Sequence, residues 1–202
     1  YDNTAFENGG GLYLWNTTAS IQGQILNNIA GNTGGGISAS YCSLDFLNTS
    51  INANRAAWGG GIDLMAGDAS FQSSCFNMNS AGFFGGAIWN DKTHLLMDGC
   101  SFGDNTAFGG SVIRSANDND AAHTTFKNSV ACNNGNPIIQ GLWTDGGGND
   151  LFGCGGQQGS PAPSPWGDLN NDHSLDGADM GVLLAQWGSA DTGDLNHDGA
   201  VD

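Results

Sequence analysis

Phe76-Asn77-Met78-Asn79-Ser80-Ala81-Gly82-Phe83-Phe84-Gly85-Gly86-Ala87-Ile88-Trp89-Asn90 is one unit of a repeat that runs through most of the 202-residue chain. Glycine triplets or near-triplets begin at Gly9, Gly34, Gly59, Gly85 and Gly109. One aliphatic residue follows each, Leu12, Ile37, Ile62, Ile88 or Val112, and successive starts are 25, 25, 26 and 24 residues apart. Ahead of each triplet an Asn stands two residues before an Ala: Asn3 with Ala5, Asn28 with Ala30, Asn54 with Ala56, Asn79 with Ala81 and Asn105 with Ala107. Ile25, Ile51, Phe76 and Phe102 lie three residues before four of these Asn; Phe126 continues that column, with Ser129 in the Asn place.

Two apolar columns and one Asn column at constant phase describe a solenoid in which each coil lies on the one before. Strands about 4.8 Å apart would give five coils a rod length near 24 Å. Alternation along Gly11–Trp15, Gly61–Met65 and Ala87–Asn90 places Leu12, Ile62 and Ile88 inward and Tyr13, Asp63 and Trp89 outward. Glycine triplets supply positive φ and close backbone approach at one corner. The Asn of the next corner tolerates the left-handed region and, stacked, passes side-chain hydrogen bonds between coils. A helical reading fails, because each of 34 glycines would cost about 1 kcal/mol in a helix interior.

Gly85-Gly86-Ala87-Ile88, Phe76-Asn77-Met78-Asn79 and Phe102-Gly103-Asp104-Asn105 resemble the Gly-Gly-Ala-Ile and Phe-x-x-Asn segments of the polymorphic outer-membrane-protein repeat family, over roughly residues 3 to 130. The resemblance implies an all-β, right-handed parallel β-helix of about five coils, in a secreted or surface adhesin. Residues 131–156, with Cys132, Pro137, Trp143 and Cys154, drop the repeat and are expected to cap the solenoid. The first module therefore spans 1–156. A Pro/Ser-rich linker, 157–166, separates it from residues 167–202.

In that last segment Asp168, Asn170, Asp172, Ser174 (through its carbonyl), Asp176 and Asp179 occupy positions 1, 3, 5, 7, 9 and 12 of an EF-hand-type loop, the oxygen spacing that suits Ca²⁺. Asp194, Asn196, Asp198, Ala200 (through its carbonyl) and Asp202 repeat the first nine positions. Met180, Leu183, Leu184 and Trp187 form one face of an intervening helix. Loop, helix, linker and loop resemble a dockerin. That resemblance implies calcium as cofactor and a docking partner, although positions 10 and 11, where dockerins carry recognition residues, are Gly177 and Ala178 and put a standard cohesin in doubt.

Only 12% of residues are charged, yet the net charge is −16. Four basic residues, Arg55, Lys92, Arg114 and Lys127, cannot neutralise a phosphate backbone, which excludes nucleic acid as a partner, and no apolar run is long enough for direct membrane insertion. No signal sequence opens the chain at Tyr1, so it reads as mature, trimmed or a fragment. Of five cysteines, Cys75 with Cys100 and Cys132 with Cys154 are the expected pairs, leaving Cys42 a buried thiol.

Catalytic residue types are scarce. Asp118 and Asp120, near His123 and one coil from Asp98, are the only local cluster that could act on a glycosidic bond, and a solvated turn is the competing reading. His94 reads as an outward strand residue. Trp15, Trp58, Trp89 and Trp143 stand at different phases of the repeat, which favours partial burial over a sugar-stacking strip. The expected function is a non-enzymatic structural or adhesive protein, extracellular or on a bacterial cell surface, that self-associates into a filament or matrix or meets another surface protein. Two alternatives stay open: a fragment of a β-helix polysaccharide lyase or hydrolase tethered by its dockerin, and a non-catalytic glycan-binding module.

Overall fold

The structure is a computed structural model and describes residues 1–116 and 124–151. The chain divides into two units, Tyr1–Gly159 and Ser160–Asp202, and all described residues belong to the first. They form a parallel β-solenoid of about five turns, with no helix. Among the described residues every strand pairing is parallel, in one sheet of twelve strands and one of four. Ile37–Asn52, Ile62–Gln72 and Ile88–Asp98 are the long strands at its centre.

Registered residues build the core. Ile37, Ile62, Ile88 and Ile113 stack as Cα partners and are fully buried. Phe46 and Phe71 are registered and their rings stack 4.1 Å apart, and Phe76 and Phe102 stack at 5.1 Å in the next column. Each such side chain contributes about 1.5–3 kcal/mol on burial. An aromatic at the same phase of consecutive coils gains ring contacts as well.

Register corrects three details of the repeat. Ile113, not Val112, is the partner of Ile88. The fifth corner glycine is accordingly Gly110, with φ 59°, like Gly59 and Gly85. Two adjacent apolar residues follow that corner and both are buried, so counting from the first glycine slips by one. Phe126 does not continue the Phe102 column: it pairs with Met97, in line with Phe71 and Phe46, and Ala131 takes the place beside Phe102. The expected cap, in its described part, carries the stack onward. Val130–Cys132, Ile139–Gln140 and Trp143–Asp145 lie in register on the preceding coil.

The Asn column is a ladder of six. Asn28, Asn54, Asn79, Asn105 and Asn134 each accept at Oδ1 both the backbone N–H and the Nδ2–H of the Asn one coil earlier, at 2.9–3.2 Å. Asn54, Asn79, Asn105 and Asn134 also donate from Nδ2 to the carbonyls of Ile25, Ile51, Phe76 and Phe102. Asn134, rather than Ser129, is the sixth rung, 29 residues after Asn105.

The left-handed residue at this corner is the one before each rung: Asp2, Asn27, Ala53, Met78, Asp104 and Asn133 have φ of 53–56°. Reversing the chain there turns the following side chain inward, where its amide reaches the backbone of the neighbouring coil. The ladder Asn is chosen for its bonds and the preceding position carries the strain, about 1–2 kcal/mol for an L-residue such as Ala53 or Met78.

A second corner repeats the device with smaller groups. Thr49 N–H donates to Ser74 Oγ, Cys100 N–H to Ser129 Oγ, and Ser129 N–H to Asn149 Oδ1. Cys100 thus stands inward at a serine position, whereas Cys75 registers with Ser50 and Ser101 one residue on and is only half-buried. That offset of one residue in an alternating strand sends the two thiols to opposite faces, so the expected Cys75–Cys100 bond is absent and Cys42, Cys75 and Cys100 are free. Cys132 is disulfide-bonded; Cys154, its expected partner, lies outside the described residues. Burial pushes the Cys100 thiol up to about 11. In folded protein at pH 8, alkylation followed by peptide mass mapping should mark Cys75 well before Cys100, because the thiolate is the reacting form. Equal labelling would contradict the inward placement.

Candidate functional site

The glycine corner bends so sharply that residues on either side of it face each other. At Gly60 a Cβ would meet Gly86 O and Ser80 C at 2.5 Å, so Gly60 has no room for a side chain. Across Gly34–Gly36, Thr33 Oγ1 stands 3.2 Å from Ser38 Oγ. Stacked over successive coils, the residues before the corner (Asn8, Thr33, Trp58, Phe84) make one wall of a groove. Those after it (Tyr13, Ser38, Asp63, Trp89, Arg114) make the other.

Between the walls lies a cavity of about 380 Å³ lined by Tyr13, Trp15, Trp58, Asp63, Met65 and Trp89, with Asn8, Asn32, Thr33, Ser38 and Ser40 as its polar groups. Trp58 and Trp89 meet edge to face at 4.9 Å. Phe84 braces both, at 5.5 and 6.0 Å. The Arg114 guanidinium lies 5.7 Å from the Phe84 ring and 5.9 Å from that of Trp89, closing the stack. Trp15 and Tyr13 stay more than half exposed, and Trp15 packs its edge on Tyr41 at 5.2 Å.

Three tryptophans of different repeat phase therefore share one site, because the two walls of a folded-back corner are different phases by construction. Trp143 is apart from them, edge-on to Phe126 at 5.8 Å. Partial burial, the expected state, holds for Trp58, Trp89 and Trp143. The signal that the sequence offered was a bulky residue immediately before one glycine triplet, Trp58, and another just after the next, Trp89.

Asp63 stands outward from the coil, as expected from alternation, yet is only 4% exposed because the groove covers it. Ser38 Oγ donates to its Oδ2 at 3.1 Å. Burial raises its pKa above the ordinary 3.8; the Thr33 and Ser38 hydroxyls oppose that shift, and Asp91 one coil on adds to it. Asp91 Oδ1 is itself buried with no hydrogen-bond partner.

A raised carboxyl pKa means that the folded state holds the proton more tightly. The stability this gives is complete below the unfolded value and is lost as pH rises through the folded one. Asp63→Asn should therefore melt at a higher temperature than the parent at pH 7, with the difference shrinking toward pH 3. Thermal melts across that range check it, and a variant less stable at pH 7 would contradict the burial of the charge.

Among other expected site residues, Asp98 accepts a hydrogen bond from Asn128 Nδ2 at 2.9 Å and pairs with Lys127 at 3.8 Å. His94 is an outward strand residue, exposed beside Asp68 at 3.6 Å. Asp118, Asp120 and His123 lie outside the described residues, as do all the calcium-loop positions of 168–179 and 194–202. Among the described residues no three His, Cys, Asp or Glu side chains are grouped as a metal site. Compared with known protein families, curated proteins and solved structures, the chain matches none.

Proposed function

We propose that the protein is a non-catalytic adhesive module, extracellular or on a bacterial cell surface, that holds a saccharide chain in the groove lined by Trp15, Trp58 and Trp89. The observation that carries this reading is the pairing of half-buried indole rings with amide and hydroxyl groups around one cavity of about 380 Å³. Aromatic faces take the C–H faces of a pyranose, while Asn8, Asn32, Thr33 and Ser40 supply bonds to ring hydroxyls. Mounting these groups on stacked strands fixes them before the ligand arrives, which lowers the ordering cost of binding.

The carboxy-terminal segment fits the same role as an anchor. Its Asp168-x-Asn170-x-Asp172 and Asp194-x-Asn196-x-Asp198 spacings favour calcium-dependent docking to another surface protein or to a further copy of this chain. Calcium titration of the full chain should show uptake that Asp168→Ala removes from the first loop.

The test of the saccharide reading is calorimetric titration with a panel of neutral, amino and acidic oligosaccharides. At least one should bind, and Trp89→Ala should weaken it by about tenfold or more, roughly 1.4 kcal/mol, with far-ultraviolet circular dichroism unchanged. A panel with no binder, or full affinity in the variant, would reject it. Release of shorter saccharides on incubation would move the function to the hydrolase or lyase alternative.

A further inference from the structure

The groove has a charge of one sign. Among the described residues Asp63 is the only ionisable acid or base lining the cavity apart from the phenol of Tyr13, and Asp91 is its diagonal neighbour on the adjoining coil. Among the described residues no lysine, arginine or histidine lines it. Arg114 lies a coil further, over Phe84 and Trp89, with Nη1 donating to Ser115 O at 3.0 Å.

The groups about the Asp63 carboxyl are thus the hydroxyls of Ser38 and Thr33, the second carboxyl of Asp91, and aromatic rings. Ser38 donates a neutral hydrogen bond, and nothing in the lining neutralises the charge.

We propose that the ligand of this groove is an amino sugar with its amine free, the ammonium seated on Asp63 with the Trp58 and Trp89 rings beside it. This rests on the reading of the groove as a saccharide site and names the class of saccharide. An ammonium gains a charge-assisted bond from the carboxylate and attraction to the faces of adjacent indoles. A uronate would bring like charge against Asp63 and Asp91, in a protein whose net charge is already −16. A neutral or N-acetylated sugar could stack but would leave the carboxylate without a counter-charge. Burial raises the Asp63 pKa in the empty groove and an arriving ammonium would lower it again, so binding should release protons over the range in which Asp63 titrates.

The experiment is calorimetric titration of the full chain with three probes of equal length, in two buffers of different ionisation enthalpy. The probes are a β-linked glucosamine oligosaccharide, its fully N-acetylated counterpart and a galacturonate oligosaccharide, at a pH where the amine is charged. The glucosamine probe should bind about tenfold tighter than the acetylated one, the worth of one charge-assisted bond. In Asp63→Asn that ratio should fall to near one, whatever happens to the common affinity.

Equal affinities for the two probes in the parent protein, an undiminished ratio in Asp63→Asn, or tightest binding of the galacturonate would overturn the amine assignment while leaving a saccharide site. Absence of binding by all three, and by the wider neutral panel, would remove the saccharide reading itself.

Discussion

Replacing Asn79 with Ala should destabilise the protein by about 3–5 kcal/mol, close to abolishing the fold, although the change removes only one small amide. Asn79 Oδ1 accepts the N–H and Nδ2–H of Asn54 at 3.1 Å each, and its Nδ2 donates to Ile51 O at 2.7 Å and to Asn105 Oδ1 at 3.0 Å. Alanine would strand two donors and one carbonyl in an interior where Asn54, Asn79 and Asn105 are all fully buried. Each orphaned buried polar group costs about 1–3 kcal/mol.

Asn79→Asp should be no milder at pH 7. A carboxylate can still accept from Asn54, but it sets negative charge against Ile51 O and Asn105 Oδ1, and protonation in acid should recover part of the loss. Urea unfolding followed by tryptophan fluorescence measures both variants. A cost below about 1 kcal/mol for Asn79→Ala would mean that the ladder decorates the solenoid rather than holding it.

Gly60→Ala should be comparably severe, at about 3 kcal/mol or more. Its new methyl would sit 2.5 Å from Gly86 O and from the Ser80 carbonyl carbon, both backbone atoms held by their own coil. Relief would require two coils to separate at the corner, breaking the Gly60 N–H bond to Gly85 O and its neighbours. Displacement of that size in a close-packed backbone belongs to the severe tail of point-mutation effects. Gly82→Ala is the internal control: its nearest neighbour, Ala57 Cα, is 3.7 Å from the added methyl, so the same change should be neutral or stabilise by up to about 1 kcal/mol. If both substitutions behave alike, glycine at the corner is not there for lack of space.

The parts of the fold legible in sequence were those governed by strict alternation and a constant coil length. Ile62 and Ile88, and Phe76 and Phe102, fall inward at a spacing of 26 residues, and counting finds them. Counting fails where a coil changes length. The offset between registered residues grows from 25 at Ser115 to 29 at Thr124, which moved Phe126 into the other aromatic column and hid Asn134 as the sixth rung.

The cysteine pairing failed for a finer reason. One residue of phase reverses a strand side chain, and Cys75 and Cys100 differ by that one residue. The groove was hidden because periodicity relates residues of the same phase, whereas a folded-back corner joins different phases: Trp58 before the turn and Trp89 after it. A carboxyl read as outward, Asp63, is buried by that same closure.

In-register stacking of whole coils underlies the core, the ladders and the groove alike, and spin-label proximity tests it most directly. Nitroxides at Asp45 and Ser70, Cα partners on adjoining coils, in a background with Cys42, Cys75 and Cys100 replaced by Ser, should show strong dipolar broadening. A pair at Ser70 and Leu96, the next step of the same column, should broaden equally. Sharp, non-interacting spectra from both pairs would contradict the solenoid.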